Sequence, residues 1–145
     1  MLPKSLMDLM RNLWVFPAVL GTVDKEGNIH LTFITWVYPV DERTIRFALS
    51  SGAKSSKNIQ QTGIASIMFF AQDMAFACYG STQMVSDSIE EVKFHVSVFE
   101  MNIERAENNL FPGGTVIGTI PFAHTGNLIN MVELDVTVIE AMKNL

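Results

Sequence analysis

Two apolar runs flanking a five-residue turn constrain this chain more than any other feature. VFPAVLGTV (residues 15–23) and IHLTFITWVY (29–38) are rich in β-branched and aromatic residues. Asp24, Lys25, Glu26, Gly27 and Asn28 separate them. β-formers broken by such turn residues fold back as an antiparallel hairpin. Pro17 places a bulge or an edge near the start of the first strand. A second turn over residues 39–43 leads into TIRFALS (44–50), a third strand.

The same reading extends along the chain. IASIMFFA (64–71) and MAFACYGSTQMVS (74–86) are strands turned at Gln72 and Asp73. In LINMVELDVTVIEA (128–141), Val132, Leu134, Val136 and Val138 alternate with Met131, Glu133, Asp135 and Thr137. That alternation predicts a half-exposed sixth strand. Three helices are expected between and before the strands. Leu2, Leu6, Leu9 and Leu13 recur at helical spacing behind Pro3. Residues 54–61 favour a short helix stopped by Gly63. Ile89, Val92, Val96, Phe99, Ile103, Ala106 and Leu110 repeat at threes and fours, with Asp87 or Ser88 as the cap and Glu90 or Glu91 completing a capping box. The expected fold is mainly β with inserted helices, a six-stranded antiparallel barrel formed as a single domain over residues 1–145.

Charge and hydropathy narrow the function classes. A net charge of −5 argues against bulk electrostatic binding to nucleic acid. Apolar residues make up 48% of the chain, yet no uninterrupted run approaches the ~18 needed to cross a membrane. Lys4, Asp8 and Arg11 interrupt the N-terminal apolar pattern, which therefore reads as an amphipathic helix rather than a signal peptide. A cytoplasmic protein is expected. The lone Cys78 cannot form an internal bridge and lies in an apolar run, as a buried small hydrophobe would. The surplus of apolar residues is expected to cover an oligomer interface, a cofactor, or both.

FALSSGAKSSKNI (47–59) is the stretch with the most chemistry in it. An apolar strand runs into Ser50, Ser51 and Gly52, and then into a helix start bearing Lys54, Ser55, Ser56 and Lys57. Free N–H groups and a partial positive charge at a helix start suit a phosphate, and lysines and serines add charge and donors. The alternative is that the serines cap a turn and the lysines are solvated. No paired CxxC, HExxH, GxSxG or GxxxxGK pattern is present. GGTVIGT (113–119) lacks the lysine of the last and belongs to a glycine-rich loop, residues 111–127. His30, His95 and His124 are scattered without metal-ligand spacing. His95 is expected on the helix over 88–110, in a structural role. His124, in the loop, is the better candidate for substrate contact or acid–base work. Trp14, Trp36 and Tyr38 read as core or interface residues.

The order of these parts resembles the flavin-binding split β-barrels related to pyridoxamine 5′-phosphate oxidase. Thr22, Asp24, Gly27 and His30 match the family's first hairpin. Phe47, Ala48, Gly52, Lys54, Asn58 and Ile59 match its third strand and the helix that follows. The resemblance implies a homodimer with FMN at its interface, acting on a small molecule. It implies that the phosphate is held where a basic pair stands in the family, here Lys54 and Ser55, with Lys57 one turn on replacing the second cation. It places Thr32, Phe33, Ile34 and Thr35 along the flavin edge, and Ser50 and Ser51 at the ribityl chain or phosphate. Thr32 stands where the vitamin B6 oxidases carry an arginine, and no tryptophan- and arginine-bearing substrate segment closes the chain. The resemblance therefore implies a flavin-dependent oxidoreductase other than the B6 oxidase itself. The alternatives are a carrier or sensor of flavin or haem without turnover, or a dimerisation module without a ligand.

Overall fold

The computed structural model describes residues 1–145. The elements in chain order are α1 (Lys4–Leu13), β1 (Ala18–Val23), β2 (Ile29–Ile34), β3 (Val37–Asp41), β4 (Thr44–Ser50), α2 (Lys54–Thr62), β5 (Ile64–Ala71), β6 (Met74–Ser86), β7 (Val96–Asn108) and α3 (Leu128–Lys143). All strands join one antiparallel sheet in the order β2-β1-β5-β6-β7-β4-β3. The two edge strands, β2 and β3, are consecutive in sequence and separated by Thr35 and Trp36 alone. So short a connection makes the sheet curl until its edges face each other, and a split barrel results. Pro39 lies in β3, where an edge strand tolerates the missing N–H.

Phe16, Phe47, Phe69 and Phe99 are fully buried inside the barrel, with Leu20, Ile45, Ile67 and Met101. α1 closes one end with Leu2, Leu6 and Met10. A second, smaller core lies outside the barrel. There Val138, Ile139 and Met142 of α3 pack on Ala48, Val96 and Val98. Arg46 fastens the same helix, bonding Glu100 at 2.9 Å and the Met142 carbonyl at 3.0 Å.

Seven strands replace the expected six, and three local expectations change. The run over 29–38 divides at Thr35 and Trp36 into β2 and β3. The helix expected over 88–110 is instead a loop, residues 87–95, followed by β7. The same residues satisfy a period of two: Phe99, Met101 and Ile103 point into the barrel, while Glu100, Asn102 and Glu104 alternate with them. Val96 and Val98 point to the other face, against α3. β7 is the strand that pairs β4 with β6, so ladder hydrogen bonds on both edges outweigh helix propensity. His95 accordingly precedes a strand and caps nothing helical; its carbonyl accepts from Ser51 N–H at 2.9 Å.

The expected final strand is α3. Asp135, Val138, Ile139 and Met142 fall on one helical face and are buried. Asn127 caps the helix, accepting from Asn130 N–H at 3.1 Å. Asp135, which strand alternation sets on the face opposite Val138, shares its buried helical face and is 6% exposed.

Candidate functional site

The split between the barrel edges opens into a cleft of about 310 Å³. Its walls come from β2, from the Thr35–Trp36 junction, from the end of β4 and from the start of α2. Of the residues expected at a flavin, Thr32, Phe33, Ile34, Thr35, Ser50 and Ser55 line this cleft together. They come from three elements that the barrel topology alone brings to one place.

The start of α2 is uncapped. Ala53 in the cap position offers no side-chain acceptor, and the first N–H with a helical partner is that of Lys57. Its first turn therefore keeps free donors. Ser55 is 1% exposed and lines the cleft, and its hydroxyl makes no hydrogen bond within the chain. Ser56 and Asn58 hold the helix in place. Ser56 Oγ donates to the Ser50 carbonyl at 2.7 Å, and Asn58 Nδ2 donates to Thr22 Oγ1 of β1 at 3.1 Å. Gly63, with φ of 69°, ends the helix in the left-handed conformation.

Three expected residues stand apart from the cleft lining. Ser51 turns its hydroxyl to Ser97 Oγ at 2.6 Å. Lys54 and Lys57 are exposed on the outer side of α2. The backbone N–H of Asn28 holds the Asp24 carboxyl below its ordinary pKa, and the charge of Lys54 adds a smaller effect in the same direction. β2 is an edge strand, so every second backbone group along it lacks a strand partner. A ring edge laid against residues 32–35 would meet those groups. Free N–H groups and the unpartnered hydroxyl of Ser55 on the cleft wall form a donor set that fits a phosphate, with Lys54 and Lys57 exposed on the same first turns of the helix.

The structure also adds residues to the site. His30 and Trp36 line the cleft. Trp36 Nε1–H donates to Asp135 Oδ1 at 2.7 Å, and Asp135 Oδ2 lies 2.7 Å from His124 Nε2. Asp135 and His124 are 8% and 12% exposed at the side chain. Phe122 packs edge-on against His124 and tilted against Phe33, so the loop over 109–127 is fastened to the cleft wall. Nothing in the spacing of Trp36, His124 and Asp135 announces this cluster, because the fold joins them across up to 99 residues.

The sequence profile described as pyridoxamine 5′-phosphate oxidase matches residues 16–118. The chain belongs to the pyridoxamine 5′-phosphate oxidase family. Solved structures carry the same fold. HupZ of Group A Streptococcus superposes with a TM-score of 0.61 at 19% identity, covering 81% of this chain and 100% of its own. A candidate pyridoxamine 5′-phosphate oxidase of Lactobacillus delbrueckii gives 0.60 at 18% identity, over 73% and 93% of the two chains. An FMN-binding protein of Syntrophomonas wolfei gives 0.51 at 14% identity, over 74% and 94%. No curated protein sequence gives a significant match. In this family member no helix is long and apolar enough to cross a membrane, and no cluster of three or more metal-ligating side chains occurs.

Proposed function

We propose that this member of the pyridoxamine 5′-phosphate oxidase family binds FMN in the cleft at the barrel split and acts as a flavin-dependent oxidoreductase on a small molecule. One observation carries the reading. The uncapped start of α2, with the unpartnered hydroxyl of the largely buried Ser55, opens into a cleft walled by the edge strand β2. The phosphate would accept from the first-turn N–H groups and from Ser55. Lys54 and Lys57 would close over it from the rim, being one helical turn apart. Backbone groups of residues 32–35 would orient the ring edge, and Ser50 would meet the ribityl chain. Bound flavin supplies hydride and electron transfer; the chain positions it and limits access.

A homodimer is part of the same proposal. Ile29, Leu31 and Ile64 are more than half exposed and flank a trough of about 640 Å³ on the outer sheet face. Such a patch suits a partner subunit, and it continues along β2 into the cleft. Light scattering on the protein and on Leu31→Glu tests this, with a dimer expected for the first and a monomer for the second.

The flavin reading is tested by titrating purified protein with FMN and following flavin fluorescence. Binding is expected, and Lys54→Ala with Lys57→Ala should weaken it by about ten- to a hundredfold. FMN that keeps its full fluorescence overturns the proposal. Unchanged affinity in the double variant moves the phosphate elsewhere. Reduction of bound flavin by NAD(P)H supports an enzyme; tight flavin that no reductant reaches supports a carrier.

A further inference from the structure

A second cavity, of about 660 Å³, lies between the end of α1, the loop over 109–127 and α3. Eight of its ten lining residues are hydrophobic, among them Leu13, Trp14, Phe122, Leu128 and Val132. The exceptions are His124 and Asp135. A pocket that is apolar apart from one convergent polar pair has the make-up of a small-molecule site, and its volume falls in the range of such sites. It shares no lining residue with the flavin cleft, from which Trp36 and Phe33 divide it.

The polar pair decides what the cavity accepts. An ionised carboxylate only accepts hydrogen bonds, so the 2.7 Å contact places the proton on His124 Nε2. Trp36 Nε1–H occupies the other carboxylate oxygen at 2.7 Å. Asp135 therefore holds one partner on each oxygen, and it fixes the orientation of the imidazole and which ring nitrogen faces it. In the neutral imidazole the remaining ring nitrogen, Nδ1, carries a lone pair, and it makes no hydrogen bond within the chain. Besides the carboxylate, whose oxygens already hold one donor each, the site thus offers Nδ1 as an unpartnered acceptor in mostly apolar surroundings. A ligand that satisfies it must donate an O–H or N–H from an apolar body. The buried carboxylate behind the imidazole disfavours anions. Phe122 and Trp14 offer aromatic surface to a ring.

We propose that this cavity binds neutral phenols, with the phenolic O–H donating to His124 Nδ1. His124 is the residue that touches the ligand; Asp135 and Trp36 position it. A protein segment or a second copy of the chain would also cover Leu128 and Val132, but neither requires an unpartnered imidazole nitrogen held in place by a buried carboxylate.

The test uses 4-tert-butylphenol and its methyl ether, 4-tert-butylanisole, followed through the methyl resonances of Leu128 and Val132 by NMR. The phenol is expected to shift those methyls and to bind about fivefold tighter than the ether, the increment of one hydrogen bond. His124→Phe keeps an aromatic ring against Phe122 and should equalise the two affinities. Val132→Trp should fill the cavity and abolish binding of both. Equal affinities in the unaltered protein, a preference that survives in His124→Phe, or no shift at all would overturn the proposal. Methyl shifts that follow protein concentration instead of ligand would assign the cavity to a second copy and overturn it as well. FMN titration of Val132→Trp keeps this outcome distinct from that of the flavin cleft, because Val132 does not line that cleft.

Discussion

Trp36 and Asp135 lie 99 residues apart in sequence and share a 2.7 Å hydrogen bond from the indole Nε1–H to a carboxylate whose side chain is 8% exposed. That bond ties the junction of the two barrel edges to α3. Removing the carboxylate leaves the indole N–H and His124 without their partner in a buried setting. Asp135→Ala should therefore cost about 3 kcal/mol, lowering Tm by about 10 °C in a thermal melt. Trp36→Phe, which deletes a single donor, should cost visibly less.

Gly80 lies at a register shift in β6, where it pairs with Ile103 of β7 and packs close to the backbone of Asn102. A Cβ there would collide with the Asn102 carbonyl. Gly80→Ala should destabilise the chain by about 2 kcal/mol or more, since a backbone group and not a flexible side chain must move. Gly52 has open space where its Cβ would stand. Gly52→Ala should stay within about 0.5 kcal/mol. Urea unfolding of the pair checks both values against each other.

Asp24 orders the turn between β1 and β2. Its Oδ1 accepts from the backbone N–H of Glu26 and of Asn28, each at 2.9 Å. The backbone N–H of Asn28 is the main reason its carboxyl stays below the ordinary value. The folded state thus favours the charged form. The stabilisation is complete above the ordinary aspartate pKa and is lost as pH falls through the lowered one. The stability difference between the unaltered chain and Asp24→Ala should narrow as pH is taken from about 6 to about 3. A difference that stays constant over that range would disprove the assignment.

Burial pushes the Cys78 thiol up to about 12. The folded state favours the protonated thiol, so this contribution is complete below the unfolded value of about 8.5 and is lost as pH rises towards the folded value. At about pH 8 Cys78 should resist a thiol reagent in the folded chain and react readily in denaturant. Prompt labelling of the native protein would contradict its burial.

Elements whose sequence signal is local were legible in advance. The turn at Asp24–Asn28, β4, β5 and β6 follow from apolar runs bounded by turn residues, and Gly63 stops α2 as its position suggested. The errors arose where one sequence satisfies two periods. Val96 to Ala106 has apolar residues at helical spacing, but only the pairing offered by β4 and β6 selects the strand. Val132 to Val138 alternates like a strand, yet Asn127 caps a helix there and the hydrophobic face of β4 and β7 is waiting for Val138, Ile139 and Met142. The candidate site divides in the same way. Thr32, Ser50 and Ser55 belong to recognisable local segments. Asp135 does not, because its neighbours Trp36 and His124 are assembled by tertiary structure.

Trp36 lines one cavity and holds the carboxylate of the other; Phe33 lines the first and packs on Phe122 of the second. Two occupants would thus share a partition. A molecule in either cavity that shifts the indole or the Phe33 ring changes the free energy of filling the other. Thermodynamic linkage makes the exchange symmetric: the factor by which the first occupant alters the affinity of the second equals the factor in the opposite direction.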